Sequence, residues 1–312
     1  MPPGLQPPPA DLVARDVAAA LAEDIGPGDL TAALIPAQAR AHAVVISREA
    51  AVLAGAPWFE AVFHALDPAI EVDWLAHDGA PVEAGQTLCT LAGPARALLS
   101  GERSALNFLQ TLSGVARETR RYVDAVAGTR ARILDTRKTL PGLRQALKYA
   151  VRCGGGGNHR FGLFDGILIK ENHIAAAGGI APALEAAFRL SPTGVFVQIE
   201  VESLAQLEEA LAVGARLVLL DNFDLDGLRA AVALNAGRAE LEASGGVDLE
   251  RVRAIAETGV DRISVGGLTK NVRAVDLSMR FADGSRLDSR CPPSHDALLL
   301  THSEISERDF QA

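Results

Sequence analysis

Residues 195–267 read VFVQIEVESLAQLEEALAVGARLVLLDNFDLDGLRAAVALNAGRAELEASGGVDLERVRAIAETGVDRISVGG, and their rhythm decides the fold. Short apolar runs, VFVQIEV, RLVLLD, ELEAS and RISVG, close near Glu200 and at Asp221, Ser244 and Gly266. Helical patterns fill the gaps at 203–213, 225–235 and 248–257, and Ser203 with Gln206 forms a capping box at the first of them. Each step is a strand plus a short helix. Two more such strands lie upstream, ARILDT ending near Asp135 and GILIK ending at Lys170, with helices expected at 141–152 and 180–190.

Repeated βα units give a parallel sheet, either open and doubly wound or closed as a barrel. Every strand here ends in a chemically distinctive residue, as on the C-terminal rim of a (β/α) barrel. No G-x-G-x-x-G follows a first strand, so a dinucleotide fold is not indicated. About six units fit, which predicts a barrel that is smaller than the eight-stranded kind or incomplete.

Upstream, the leader MPPGLQPPPA is expected to be a disordered arm over residues 1–11. A helix is expected from Asp11 to Asp24, strands at 40–48 and 70–75, and a helix at 57–66 between them. These make an antiparallel sheet with helices on one face, an N-terminal domain over 12–115. Residues 76–94 have the turn-glycine rhythm of lipoyl or biotin carriers, but no lysine lies between Glu71 and Ser100 to accept a group. A structural hairpin is the better reading. Residues 96–127 form a helical link that carries Arg103, on composition alone a solvated helix arginine. The barrel domain spans 116–270. Val275, Leu277 and Met279 alternate like a strand returning to the N-terminal sheet within 271–281, and 282–312 form a polar tail, expected to be mobile or lightly packed.

Composition narrows the function. The 312 residues carry a formal net charge of −9, which argues against nucleic acid as a partner. Cys89, Cys153 and Cys291 form no CxxC pair, so neither a disulfide framework nor a zinc site is expected, and a reducing cytoplasm fits best. The N-terminus does not read as a signal peptide, and no apolar run approaches the length of a membrane helix.

Within this acidic chain, Arg130 to His173 holds nine Lys or Arg against three acids, around the glycines Gly154–Gly157. A focused cationic segment of this kind captures small anions. The strand ends bring together cations from Arg137, Lys138, His159, Arg160 and Lys170, with carboxylates from Glu200 and Asp221. Two glycine turns, Ser244-Gly245-Gly246 and Gly266-Gly267, fall at the last two strand ends, where barrels bind phosphate, and are expected to open helices there. Singly, each residue has a plain structural explanation: Lys170 could snorkel, Asp135 could cap a loop, His173 could be a core histidine. Together, five cations and two carboxylates call for a charged ligand. An anionic substrate, a phosphorylated one and an acidic pair suited to Mg²⁺ or a sugar cation suggest phosphoribosyl transfer.

LNFLQTLSGVA, the segment DTRKTLPGLRQALKYAVRCGGGGNHRFGLFDGILIKENHI, IEVES, LLDNF, EASGGV and ISVGGLT resemble, in order, the motifs of quinolinate phosphoribosyltransferase, also called nicotinate-nucleotide pyrophosphorylase (carboxylating). The resemblance covers roughly residues 12–281. It implies an N-terminal α/β sandwich with an open or incomplete α/β barrel, and the conversion of quinolinate and phosphoribosyl diphosphate to nicotinate mononucleotide, CO₂ and diphosphate in NAD biosynthesis. It implies that Arg137, His159, Arg160 and Lys170 hold the quinolinate carboxylates, joined by Arg103 from the neighbouring subunit of a homodimer. By the same resemblance Lys138, Ser244, Gly245, Gly266 and Gly267 contact phosphate and diphosphate, and the glycine run lets backbone pass close to the site. Glu200 and Asp221 would stand near Mg²⁺ and the ribose. Arg117 departs from the pattern, where the family usually has Thr. The alternatives are a relative acting on nicotinate or another carboxylated base, and a non-catalytic phosphate-ligand binder.

Overall fold

A computed structural model describes residues 5–282. The tail 283–312 lies outside the described residues. In the N-terminal part the elements run α1 (Ala10–Asp24), β1 (Arg40–Ser47), β2 (Ala51–Val52), α2 (Ala56–Leu66), β3 (Glu71–Trp74), β4 (Pro81–Val82), β5 (Thr87–Pro94) and α3 (Ala95–Ala125). The barrel follows as β6 (Arg132–Leu134), α4 (Arg144–Cys153), β7 (Gly166–Ile169), α5 (Glu171–Ala177), α6 (Ile180–Leu190), β8 (Phe196–Val201), α7 (Leu204–Ala212), β9 (Leu217–Asp221), α8 (Leu225–Asn235), β10 (Glu240–Ser244), α9 (Val252–Ala256) and β11 (Arg262–Ser264). β12 (Leu277–Phe281) closes the described chain.

β12 returns to the first domain and pairs antiparallel with β1, in the order β12-β1-β5-β3. Trp58, Phe59 and Phe63 of α2 are fully buried in the core beneath this sheet. Asp78 caps α2 by accepting the N–H groups of Gly55 at 3.1 Å and Ala56 at 3.2 Å. Tyr149 of α4 donates its hydroxyl to the same carboxylate at 2.7 Å, which ties the barrel to the first domain. Residues 1–4 of the expected arm lie outside the described residues; of the rest, Leu5 packs on the core and Ala10 and Asp11 already belong to α1. The division expected at residue 115 falls inside α3, a 31-residue helix that serves both parts. Gly114, in mid-helix, is where the returning segment crosses: a Cβ there would lie 2.2 Å from the Arg273 carbonyl oxygen.

The second sheet is parallel, six-stranded and open, in the order β6-β11-β10-β9-β8-β7. Its free edge at β6 takes a single bridge from Gly157, whose N–H donates to the Ile133 carbonyl at 2.8 Å. This changes the reading of the four-glycine run. A Cβ at Gly154 would strike the Ala116 carbonyl at 2.5 Å, and one at Gly156 would meet Thr119 and Val151 at 2.8 Å. The glycines let the chain squeeze between α3 and the barrel edge, and they do not line the cleft described below.

Candidate active site

Alternate side chains of a strand face the same way, so the residue that ends each barrel strand and the one two places earlier both point inward. The strand ends form a rim of Lys170, Glu200, Asp221, Ser244 and Gly266. One step down lies a floor of Leu168, Gln198, Leu219, Glu242 and Ser264. Rim and floor enclose a cleft of about 770 Å³, completed by Arg137, Lys138, His159, Arg160, Gly245, Gly267, Lys270 and Asn271 among others. Every barrel residue expected at the site is therefore in one place.

At the rim, Lys170 Nζ donates to Glu200 Oε2 at 2.8 Å. Burial pushes the Glu200 carboxyl above the ordinary glutamate range; Lys170 opposes this, and the charges of Asp221 and Glu171 add to it. Asp221 accepts from Asn222 Nδ2 at 2.7 Å. Gly245, at φ +105°, sits where a Cβ would lie 2.1 Å from Asn222 Oδ1, so only glycine lets these two turns meet. Gly266 likewise leaves space for the Lys138 stem, whose Cδ would be 3.0 Å from a Cβ. The expectation that the glycine turns open helices is corrected. Five-residue α9 begins only at Val252, and the segment after Gly267 makes one helical turn, with Asn271 N–H donating to the Gly267 carbonyl at 3.0 Å.

Arg160 is nearly buried and donates from Nη1 to the Gly166 carbonyl at 2.9 Å. Burial and the neighbouring Arg137 charge both pull its guanidinium below the ordinary arginine range. The Nε atoms of Arg137 and Arg160 are buried with no hydrogen-bond partner among the described residues. Two mutually repelling guanidiniums with unspent donors favour an anion between them.

His159 is held more firmly than sequence suggested. Its backbone N–H donates to Asp135 at 2.9 Å, and its carbonyl accepts from Lys148 Nζ at 2.9 Å. Asp135 and Lys148 are both fully buried and joined as an ion pair, with Asn158 Nδ2 donating to Asp135 at 2.6 Å. The ring itself is spoken for. Nδ1 accepts the Arg160 N–H at 2.7 Å and Nε2 meets Gln198 Oε1 at 2.8 Å.

Two further basic residues, Arg103 and His173, lie outside the cleft lining. Arg103 is exposed on α3. His173, far from being a core residue, is exposed and caps α5 by accepting the Lys170 N–H at 3.0 Å. The floor residues Gln198, Glu242 and Ser264 were missed. Period-two alternation from Glu200, Ser244 and Gly266 would have found all three.

Comparison with known proteins agrees with this architecture. Residues 29–113 match the family pattern "Quinolinate phosphoribosyl transferase, N-terminal domain", and residues 115–280 match its C-terminal domain. The chain is 44% identical over 257 residues to the probable nicotinate-nucleotide pyrophosphorylase [carboxylating] of Bacillus subtilis, covering 82% of this chain and 89% of that protein. It is 44% identical over 277 residues to the Mycobacterium leprae protein named nicotinate-nucleotide pyrophosphorylase [carboxylating], covering 85% and 96%. The solved structure of the nicotinate-nucleotide pyrophosphorylase from Francisella tularensis superposes with a TM-score of 0.86 at 45% identity, covering 89% of this chain and 99% of that one. With both domains matched in sequence and fold, this chain belongs to the quinolinate phosphoribosyltransferase family.

Proposed function

We propose that this chain transfers the phosphoribosyl group of phosphoribosyl diphosphate to quinolinate with decarboxylation, giving nicotinate mononucleotide, CO₂ and diphosphate for NAD biosynthesis. The observation that carries this is the pairing of Arg137 and Arg160, with free buried Nε donors, across one cleft from Glu200 and Asp221. The pyridine nitrogen forms a bond to the anomeric carbon as the carbon–oxygen bond to diphosphate breaks. The ribosyl pyridinium then loses its adjacent carboxylate as CO₂, and the carbanion left behind, stabilised by the positive nitrogen, takes a proton. No general base is needed for the first step.

Arg137, Arg160 and Lys170 hold the dicarboxylate and orient it toward the anomeric carbon. His159, with both ring nitrogens engaged by the chain, forms the wall of that subsite. Lys138 meets the diphosphate, while Ser244, Gly245, Gly266 and Gly267 cradle phosphate with backbone N–H groups. Glu200 and Asp221 stabilise the developing sugar cation.

Mg²⁺ fits this donor set. Two carboxylates with no third acidic, histidine or cysteine ligand among the described residues suit an ion shared with substrate phosphates. Bound there, it would neutralise diphosphate charge as the leaving group departs. Arg103, exposed and outside the lining of its own cleft, is suited to completing the site of a second copy in a homodimer. A cytoplasmic location is consistent with buried, unpaired Cys89 and Cys153 and with the absence, among the described residues, of a helix long and apolar enough to cross a membrane.

Incubation with phosphoribosyl diphosphate, Mg²⁺ and either quinolinate or nicotinate tests the reading. Quinolinate-dependent release of CO₂ and diphosphate is expected. Turnover of nicotinate alone would overturn it, and binding without turnover would make the chain a sensor.

A further inference from the structure

Glu242 sits in the middle of β10 with its side chain completely buried, on the inner face of the barrel. A buried carboxylate is costly unless its oxygens are engaged. Oε2 accepts from Gln198 Nε2 at 3.0 Å. Oε1 has no hydrogen-bond partner among the described residues, and His159 Nε2 stands 3.8 Å from it. The cleft mechanism above gives this acid no part.

The direction of the hydrogen bonds around it supplies one. Gln198 gives its NH₂ to Glu242 Oε2, which leaves its carbonyl to face His159. That carbonyl accepts, so His159 Nε2 must carry the proton. Nδ1 is then bare and accepts the Arg160 N–H. One buried carboxyl group therefore fixes an amide orientation, a ring tautomer and the backbone of a substrate-facing arginine in succession.

We propose that Glu242 and Gln198 are positioning residues that hold His159 in its Nε2–H tautomer and thereby set the quinolinate subsite at His159 and Arg160. With an amide at 242 the amide pair can point either way, and Gln198 can then turn its NH₂ to His159, leaving the Arg160 N–H alone to favour the Nε2–H tautomer. The carboxylate subsite then loses its fixed geometry, while the phosphate turn at Ser244, which ends the strand that carries Glu242, keeps its own because the Ser244 carbonyl is held by the Asn222 N–H at 2.9 Å. The identity of the bound dicarboxylate rests on the functional reading above; the tautomer does not.

The test uses the full-length protein with ¹³C,¹⁵N-histidine, the His159 signals being assigned by their loss in His159→Asn. Wild type is expected to show the Nε2–H tautomer alone, and Glu242→Gln a mixture. Glu242→Gln should also raise the quinolinate Kd roughly tenfold, the effect of one misdirected buried hydrogen bond, with the phosphoribosyl diphosphate Kd unchanged. The exchanged pair Glu242→Gln with Gln198→Glu returns an acceptor-only group beside His159. It should restore the single tautomer and quinolinate binding to within about twofold of wild type. A single Nε2–H tautomer in Glu242→Gln, or failure of the exchanged pair to restore it, would overturn the proposal. Wild type that shows the tautomer but binds no quinolinate would instead sink the functional reading and leave this one standing.

Discussion

Lys170 Nζ lies 2.8 Å from Glu200 Oε2, at the ends of the neighbouring strands β7 and β8, so this cation of the cleft is already held by a carboxylate. The pair is unequal in exposure: Lys170 has 43% of its side chain open to solvent, Glu200 only 9%. The lysine can swing to an incoming anion and stay solvated, whereas the glutamate cannot leave.

That asymmetry predicts an opposition of stability and activity in Glu200→Gln. The folded state raises the Glu200 carboxyl above the ordinary 4.5, chiefly by burial, so folding favours its protonated form. Its ionisation therefore costs stability increasingly as pH rises from 4.5 through the raised value, and costs nothing at lower pH. Glu200→Gln should melt at or above the wild-type temperature at neutral pH, with the difference vanishing in acid. Its kcat should fall roughly 100-fold, the size seen for losing one transition-state electrostatic contact. Melting curves at several pH values, set beside initial rates, check both halves.

Arg137→Ala should weaken quinolinate binding by about 1.5–3 kcal/mol, the contribution of charge-assisted hydrogen bonds, with little change in melting temperature. Its Nε has no partner among the described residues, so the fold loses no hydrogen bond there with the side chain. Lys170→Ala should weaken binding similarly, but it also leaves the nearly buried Glu200 without its 2.8 Å partner and should lower the melting temperature at neutral pH. Unchanged affinity in calorimetric titration would contradict the assignment of the dicarboxylate subsite.

Much of this architecture is legible in the sequence because period and punctuation agree. Strands ending at Lys170, Asp221 and Ser244, with helices between them, leave little freedom in topology. Ser203 caps α7 as expected by accepting the Gln206 N–H at 3.3 Å, although the Gln206 side chain reaches one residue further back, to Glu202 N–H at 2.7 Å. What stays hidden is whatever depends on distant contacts. The glycine run looks like a ligand loop because only the three-dimensional packing places Thr119 and the Ala116 carbonyl against it. The Lys148–Asp135 pair is equally invisible, since two charges at strand and helix positions read as surface until burial is known.

That buried pair gives a stability prediction. Burial lowers Lys148 below the ordinary lysine range and raises Asp135, each opposed by the other's charge. Lys148→Met strands a buried acid and should cost about 3–5 kcal/mol in urea unfolding. Lys148→Met combined with Asp135→Asn should cost much less. Equal losses in single and double variants would mean that the two residues act separately.

Arg117, where a threonine is usual in the resemblance noted above, joins Glu49 at 2.6 Å and the Arg273 carbonyl at 3.3 Å. Glu49 also accepts the Asp276 N–H at 2.9 Å, and this bond, with Arg117 adding to it, holds its carboxyl below the ordinary 4.5. A depressed carboxylate stabilises the fold above 4.5 and ceases to as pH falls through its lowered value. Both side chains are partly exposed, so Arg117→Thr should cost at most about 1 kcal/mol at neutral pH. The deficit should shrink in acid and in high salt, with kcat unaltered.

Arg103 tests whether the site is shared. It lies exposed on α3 and takes no part in lining its own cleft, whereas Lys170 does line it. If a neighbouring copy donates Arg103, a heterodimer of Arg103→Ala and Lys170→Ala subunits has one site carrying both lesions and one carrying neither. Random reassociation of equal amounts makes half the dimers mixed, each with one intact site, so roughly a quarter of wild-type activity should return. The measurement is activity after denaturation and refolding of the mixture, with mixed dimers quantified by native mass spectrometry. A site built from one subunit leaves every cleft with one lesion or the other, and predicts no recovery however many heterodimers form.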